Sequence, residues 1–148
     1  VLHIARATDR AIVVTSSDPT ALVDAYAMVK LLLGAAPDRE IGVVVNMVRD
    51  PADGLMVARQ LNTAVRRFLN GSIRYYGHVD HDARVHASIL EQRPLLAGEG
   101  DSPASRCFRR LAVRAGAWTL PDPVSAAAEA AQPMTPEEFE QAEAPLCA

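Results

Sequence analysis

Two hydrophobic rhythms alternate along this chain. AIVVT (11–15) and IGVVVN (41–46) are short, nearly unbroken aliphatic runs, the pattern of strands buried on both faces. Between them Leu22, Ala25, Val29, Leu32 and Leu33 recur at helical spacing and predict a helix over about 19–33. Leu55, Ala58, Leu61, Val65 and Phe68 form a second stripe, whose helix is expected to end near Asn70–Gly71. IRYYGHV (73–79) reads as a third strand, more polar and so nearer an edge. Helices follow over 83–91 and 103–116, and residues 2–8 read as the end of a further one.

The boundaries carry their own chemistry. Asp18-Pro19 and Asp50-Pro51 pair a capping carboxylate with a proline suited to the first helical turn. Asp82 is placed to cap the 83–91 helix, and Ser102-Pro103 opens the last one. Aliphatic strands separated by capped helices predict an α/β fold, a three-layer sandwich around a mostly parallel sheet. In such sheets ligands gather at the carboxyl ends of the strands. Here those ends are Thr15–Asp18, Asn46–Asp50 and Val79–Asp82.

Composition narrows the class. With 148 residues, 49% of them hydrophobic, the chain can bury one core. No apolar run approaches the roughly 20 residues of a membrane helix, and no signal-peptide pattern opens the chain. Cys107 and Cys147 fall in a helix and a tail, which argues against a disulfide framework or a metal knuckle and for a reducing, cytoplasmic setting. The formal charge of −3 is uneven: residues 119–148 carry six acids and no lysine or arginine, leaving twelve acids against fifteen bases in 1–118. Those bases are scattered, so no nucleic-acid partner is predicted. The 119–148 segment, rich in proline and alanine, is expected to be a disordered acidic tail. The domain is thus expected to span 1–118.

Three segments together resemble one family. S-x-D-P-T-A-x-x-D-A-Y (16–26), VVVNMVRDPADG (43–54) and YGHVDHDARVHASILEQRPLL (76–96) appear in order at the intervals found in the MinD/ParA-type P-loop ATPases, the deviant Walker family. They are most similar to the MinD-like ATPase that governs flagellar number and placement. The resemblance covers about residues 1–115 and implies the C-terminal half of an incomplete P-loop NTPase-like domain. The implied activity is that of an ATP-dependent dimeric spatial regulator.

Carried over residue by residue, the resemblance makes Asn46 the reader of the base. A carboxamide can donate to N7 of adenine and accept from its N6 amino group. Met47 would approach the base too, though a core or loop role suits it equally. Val79, Asp80 and Asp82 would line the adenine, with Asp80 standing where the family often has proline. Asp24 matches an aspartate beside the dimer interface and serves either as a switch residue or as an ordinary acid in the first half of a helix. Asp18 reads as a helix cap. ATP and Mg²⁺ are implied cofactors of the complete protein, yet no G-x-x-x-x-G-K-[ST] occurs here, so the phosphate and Mg²⁺ ligands are absent. No catalytic residue is expected in this segment, and alone it should not hydrolyse ATP. A homodimer with ATP and contacts with flagellar or polar assembly proteins are the implied partners. A transiently polar or membrane-peripheral location follows from the resemblance, although the acidic tail is unlike a membrane-binding helix.

Two other readings compete. His78, Asp80, His81, Asp82 and His86 crowd one stretch in the manner of a metal-dependent hydrolase. His78 and Asp80 share a strand face, His86 sits in the next helix, and His3 is the only other histidine, so no metal is expected. The 103–116 helix, with Cys107, Phe108, Leu111 and Ala115 on one side and arginines elsewhere, suits a non-catalytic interaction module or, more simply, a helix packed on the sheet.

Overall fold

A computed structural model of the chain describes residues 8, 10–97 and 101–119, with side chains through residue 116. Three strands, β1 (Arg10–Ser16), β2 (Glu40–Val48) and β3 (Arg74–Asp80), form a parallel sheet in the order β1-β2-β3. Among the described residues four helices connect and cover them: α1 (Pro19–Ala35), α2 (Pro51–Leu69), α3 (Ala83–Leu90) and α4 (Pro103–Thr119). A short 3₁₀ turn lies at Leu95–Ala97. The α/β class and parallel sheet follow the aliphatic pattern, and β3 takes the expected edge position among the described strands. The helix read over 2–8 and the tail from 120 onward lie outside the described residues, apart from Thr8.

Each helix starts where its cap predicts. Asp18 accepts from the Thr20 amide at 2.8 Å, Asp50 from Ala52 at 2.8 Å and Asp82 from Arg84 at 2.9 Å. Asn70, left-handed at φ 51°, ends α2 as its position before Gly71 suggests. Gly71 is needed for a further reason: a Cβ there would stand 2.7 Å from Leu33 Cδ1.

One face of the sheet carries α1 and α2. Val29, Ile41, Val43, Val45, Leu61 and Val65 are almost wholly enclosed there. Complete burial of such a side chain stabilises by about 1.5–3 kcal/mol, so this layer dominates stability. The opposite face is thinner. There α4 sets Ala104 and Cys107 against Val44, Tyr76 and Val79. It covers β3 and the adjoining part of β2. On β1, whose side chains alternate between faces, Ile12 and Val14 are exposed.

The amphipathic α4 therefore packs on the sheet, with two differences from its sequence pattern. Phe108 lies outside the packed face and is exposed. Arg114 turns inward instead of facing water. Its Nη1 donates to the Tyr76 carbonyl at 2.7 Å, while Tyr76 Oη donates to the Arg114 carbonyl at 2.8 Å. This reciprocal pair passes over Gly77, whose φ of +135° and missing side chain admit the helix. Burial of Tyr76 pushes its phenol above the ordinary value.

Candidate functional site

The carboxyl ends of β2 and β3 come together as the parallel register requires, with Asn46 paired to Val79 and Val48 to Asp80. Met47 is the extra residue between those pairs. Its φ of 58° is unusual for a non-glycine residue, and the residue is 57% exposed. Sequence reasoning ended this strand at Asn46. The bulge instead carries β2 on to Val48 and re-aims the chain at the rim of the sheet. The Val48 carbonyl then accepts from the His81 amide at 2.8 Å, tying the loop after β3 to the end of β2.

Asn46 is half-buried at this rim, and its Oδ1 accepts from the Met47 amide at 2.9 Å. That bond orients the carboxamide. Its NH₂ group and the second lone pair of Oδ1 remain as a donor–acceptor pair. Val79 stands beside it, but its side chain is buried in the α4 layer, so only its backbone faces the rim. Asp80 is partly exposed, with Oδ1 3.5 Å from His78 Nε2.

Asp82 is more heavily engaged than a simple cap. Oδ1 accepts from Arg84 and Oδ2 from the Ala104 amide of α4 at 3.2 Å, so one carboxylate holds the first turns of two helices. A hydrogen bond from the Ser102 side chain, with the Arg84 amide next in weight, lowers its pKa from the usual carboxylate value. Ser102 and Ser105 cap α4 further by exchanging side-chain and backbone bonds, from the Ser102 amide to Ser105 Oγ at 2.8 Å and from the Ser105 amide to Ser102 Oγ at 3.2 Å. The double cap fixes the angle at which the chain leaves the β3 end. Sequence pattern revealed one helix for Asp82; the second becomes visible only when α4 is placed.

At the β1 end, Asp18 accepts from both the amide and the hydroxyl of Thr20, and the hydroxyl bond is the largest cause of its lowered pKa. Asp18 is a cap, as read. Asp24 lies on the exposed side of α1, one residue from the buried Ala25. His81 and His86, two members of the histidine-rich stretch, are exposed, whereas His78 is folded against Tyr75, whose Oη lies 3.0 Å from Nδ1. Gly54 of α2 permits this approach, because a Cβ there would stand 2.9 Å from Tyr75 Oη and 3.1 Å from His78 Cβ.

The arrangement can present one oriented carboxamide and a backbone-lined rim to a flat ligand. It has no glycine-rich phosphate cradle, since the sequence contains none. Among the described residues no helix is long and apolar enough to cross a membrane.

No protein-family model matches the chain. Over 121 residues, 82% of its length, it is 30% identical to the antiactivator FleN of Pseudomonas aeruginosa. The chain spans 43% of that protein's length. The match bears out the resemblance to MinD/ParA-type ATPases of the flagellar-number kind.

Proposed function

We propose that this chain, a relative of the MinD/ParA-type ATPases, forms the adenine-side wall of an ATP site in a protein that regulates flagellar number or placement. The observation that carries the reading is Asn46. It stands at the carboxyl end of the central described strand, beside a bulge and opposite the Val79–Asp82 rim, with its carboxamide already oriented. The phosphate-binding loop, the lysine and the Mg²⁺ ligands would come from the part of the longer protein that this chain does not match. Bound Mg²⁺ would neutralise the phosphates there; this chain's residues would read and position the base.

Within that reading Asn46 discriminates adenine, Val79 and Asp80 contribute backbone along the ring edge, and Asp82 acts as a positioning residue through its two helix caps. Met47, pushed outward by the bulge, offers an apolar surface to the ring. Asp24 faces outward from α1, as a residue meeting a second copy across an ATP-bound dimer would. Flagellar or polar assembly proteins are the partners this reading favours. The segment alone would not hydrolyse ATP.

Calorimetric titration of the full-length protein with ATP tests the site. Asn46→Ala should weaken binding by about 1–3 kcal/mol, the range of a good two-point base contact. Unchanged affinity would remove Asn46 from the site.

A further inference from the structure

The fold assembles a cluster of side chains that the nucleotide site, which takes only the backbone of Asp80, does not use. A ring nitrogen of His78, a carboxylate oxygen of Asp80 and Sγ of Cys107 all lie within 4.8 Å of one another. In sequence the stretch around His78 shows no ligand set from elsewhere in the chain to join it. The packing of α4 on β3 supplies one from a distant part of the chain. We propose that His78, Asp80 and Cys107 form a binding site for a borderline-soft divalent cation of the zinc type.

The donor set suits that ion. Imidazole, carboxylate and thiolate are the ordinary zinc ligands, and three protein ligands leave a fourth position open to water. In a tetrahedral site with bonds of about 2.0–2.3 Å the donor atoms stand roughly 3.3–3.8 Å apart. His78 Nε2 and Asp80 Oδ1, 3.5 Å apart, already stand at that spacing, and the contacts with Cys107 Sγ lie within about 1.5 Å of it. The His78 side chain is 10% exposed and that of Asp80 28%, whereas Cys107 is fully buried, so the ion enters past Asp80.

The surroundings of the ligands strengthen the assignment. Tyr75 Oη lies 3.0 Å from His78 Nδ1, and with Nδ1 as the donor in that contact the Nε2 lone pair is left for a metal. Nε2 is the ring nitrogen on the Asp80 side, 3.5 Å from Oδ1. Arg110 Nη2 donates to Cys107 Sγ at 3.1 Å, which holds the sulfur in place between α4 and β3. On binding, the Cys107 thiol gives its proton to solvent, and the thiolate, the carboxylate and neutral His78 each donate an electron pair to the cation. No electron transfer is involved. The bound ion would pin the end of β3 to α4, directly before the Asp82 double cap.

The test uses the 148-residue chain carrying Cys147→Ser, so that Cys107 is its only thiol. Cobalt(II) is titrated under reducing conditions and zinc is then added to displace it. The expected result is one cobalt per chain, a thiolate-to-cobalt charge-transfer band with the visible bands of a tetrahedral site, and loss of both on adding zinc. His78→Gln and Cys107→Ser should each abolish the band. Tyr75→Phe, which keeps the ring in the core, should weaken cobalt at least tenfold while leaving the band's shape intact. The absence of a thiolate band, or a band that survives His78→Gln, would overturn the site.

Discussion

Gly77 is the residue whose replacement most sharply tests how α4 is held. Its φ of +135° is a conformation L side chains rarely adopt, and forcing alanine into it costs of order 1–3 kcal/mol. The added Cβ would also stand 3.1 Å from both Arg114 Nη1 and Leu111 Cδ2. Those atoms must give by a few tenths of an ångström. Arg114 cannot retreat without loosening its 2.7 Å bond to the Tyr76 carbonyl, and a bond to a charged donor contributes about 1.5–3 kcal/mol. With that bond partly lost, Gly77→Ala should destabilise the protein by about 2–4 kcal/mol in urea unfolding, read as a lower midpoint at unchanged slope. Gly34→Ala serves as the control. Gly34 lies within α1 and a Cβ there meets nothing within 4 Å, so that change should stabilise by about 0.5–1 kcal/mol. A Gly77→Ala protein within about 0.5 kcal/mol of the parent, the scatter of ordinary surface changes, would refute the reasoning.

Two more expectations concern the polar joints. The Asp82 carboxylate has a pKa below its usual 3.8, so the stability it contributes is present above that pH and is lost as pH falls through the lower folded value. Asp82→Asn should therefore be less stable than the parent at neutral pH, with the gap closing on acidification in denaturant melts run across pH 2–7; a gap independent of pH would contradict the charged double cap. Asn62, buried in α2, accepts from the Ile73 amide at 3.2 Å, and Asn62→Ala should cost about 1–3 kcal/mol by leaving that amide unpaired, measured by the same unfolding assay.

The layers and caps were legible in the sequence because they are local. Asp18, Asp50 and Asp82 each act on an amide two residues on, and the aliphatic runs of β1 and β2 announce strands without reference to anything distant. What escaped depends on contacts between elements. The bulge at Met47 carries no residue signature, since methionine is a poor marker for positive φ, so the strand appeared to stop at Asn46. Arg114 looked like one more solvated arginine until α4 lay over Gly77. Asp82's second helix and Cys107's approach to His78 join residues far apart in the chain, which no periodicity reports. At the candidate site, Asn46 could be named from the strand end and the family resemblance, whereas the orientation of its carboxamide needed the Met47 amide.

The central claim is that Asn46 reads adenine, and a chemical double-mutant cycle on the full-length protein tests it most directly. ATP and purine riboside triphosphate, which lacks the N6 amino group, are titrated by calorimetry into the parent and into Asn46→Ala. If Asn46 accepts from that amino group, its removal weakens binding to the parent and costs the variant almost nothing, giving a coupling of about 1 kcal/mol or more. Equal losses in both proteins, with no coupling, would contradict the assignment of Asn46 as the base reader.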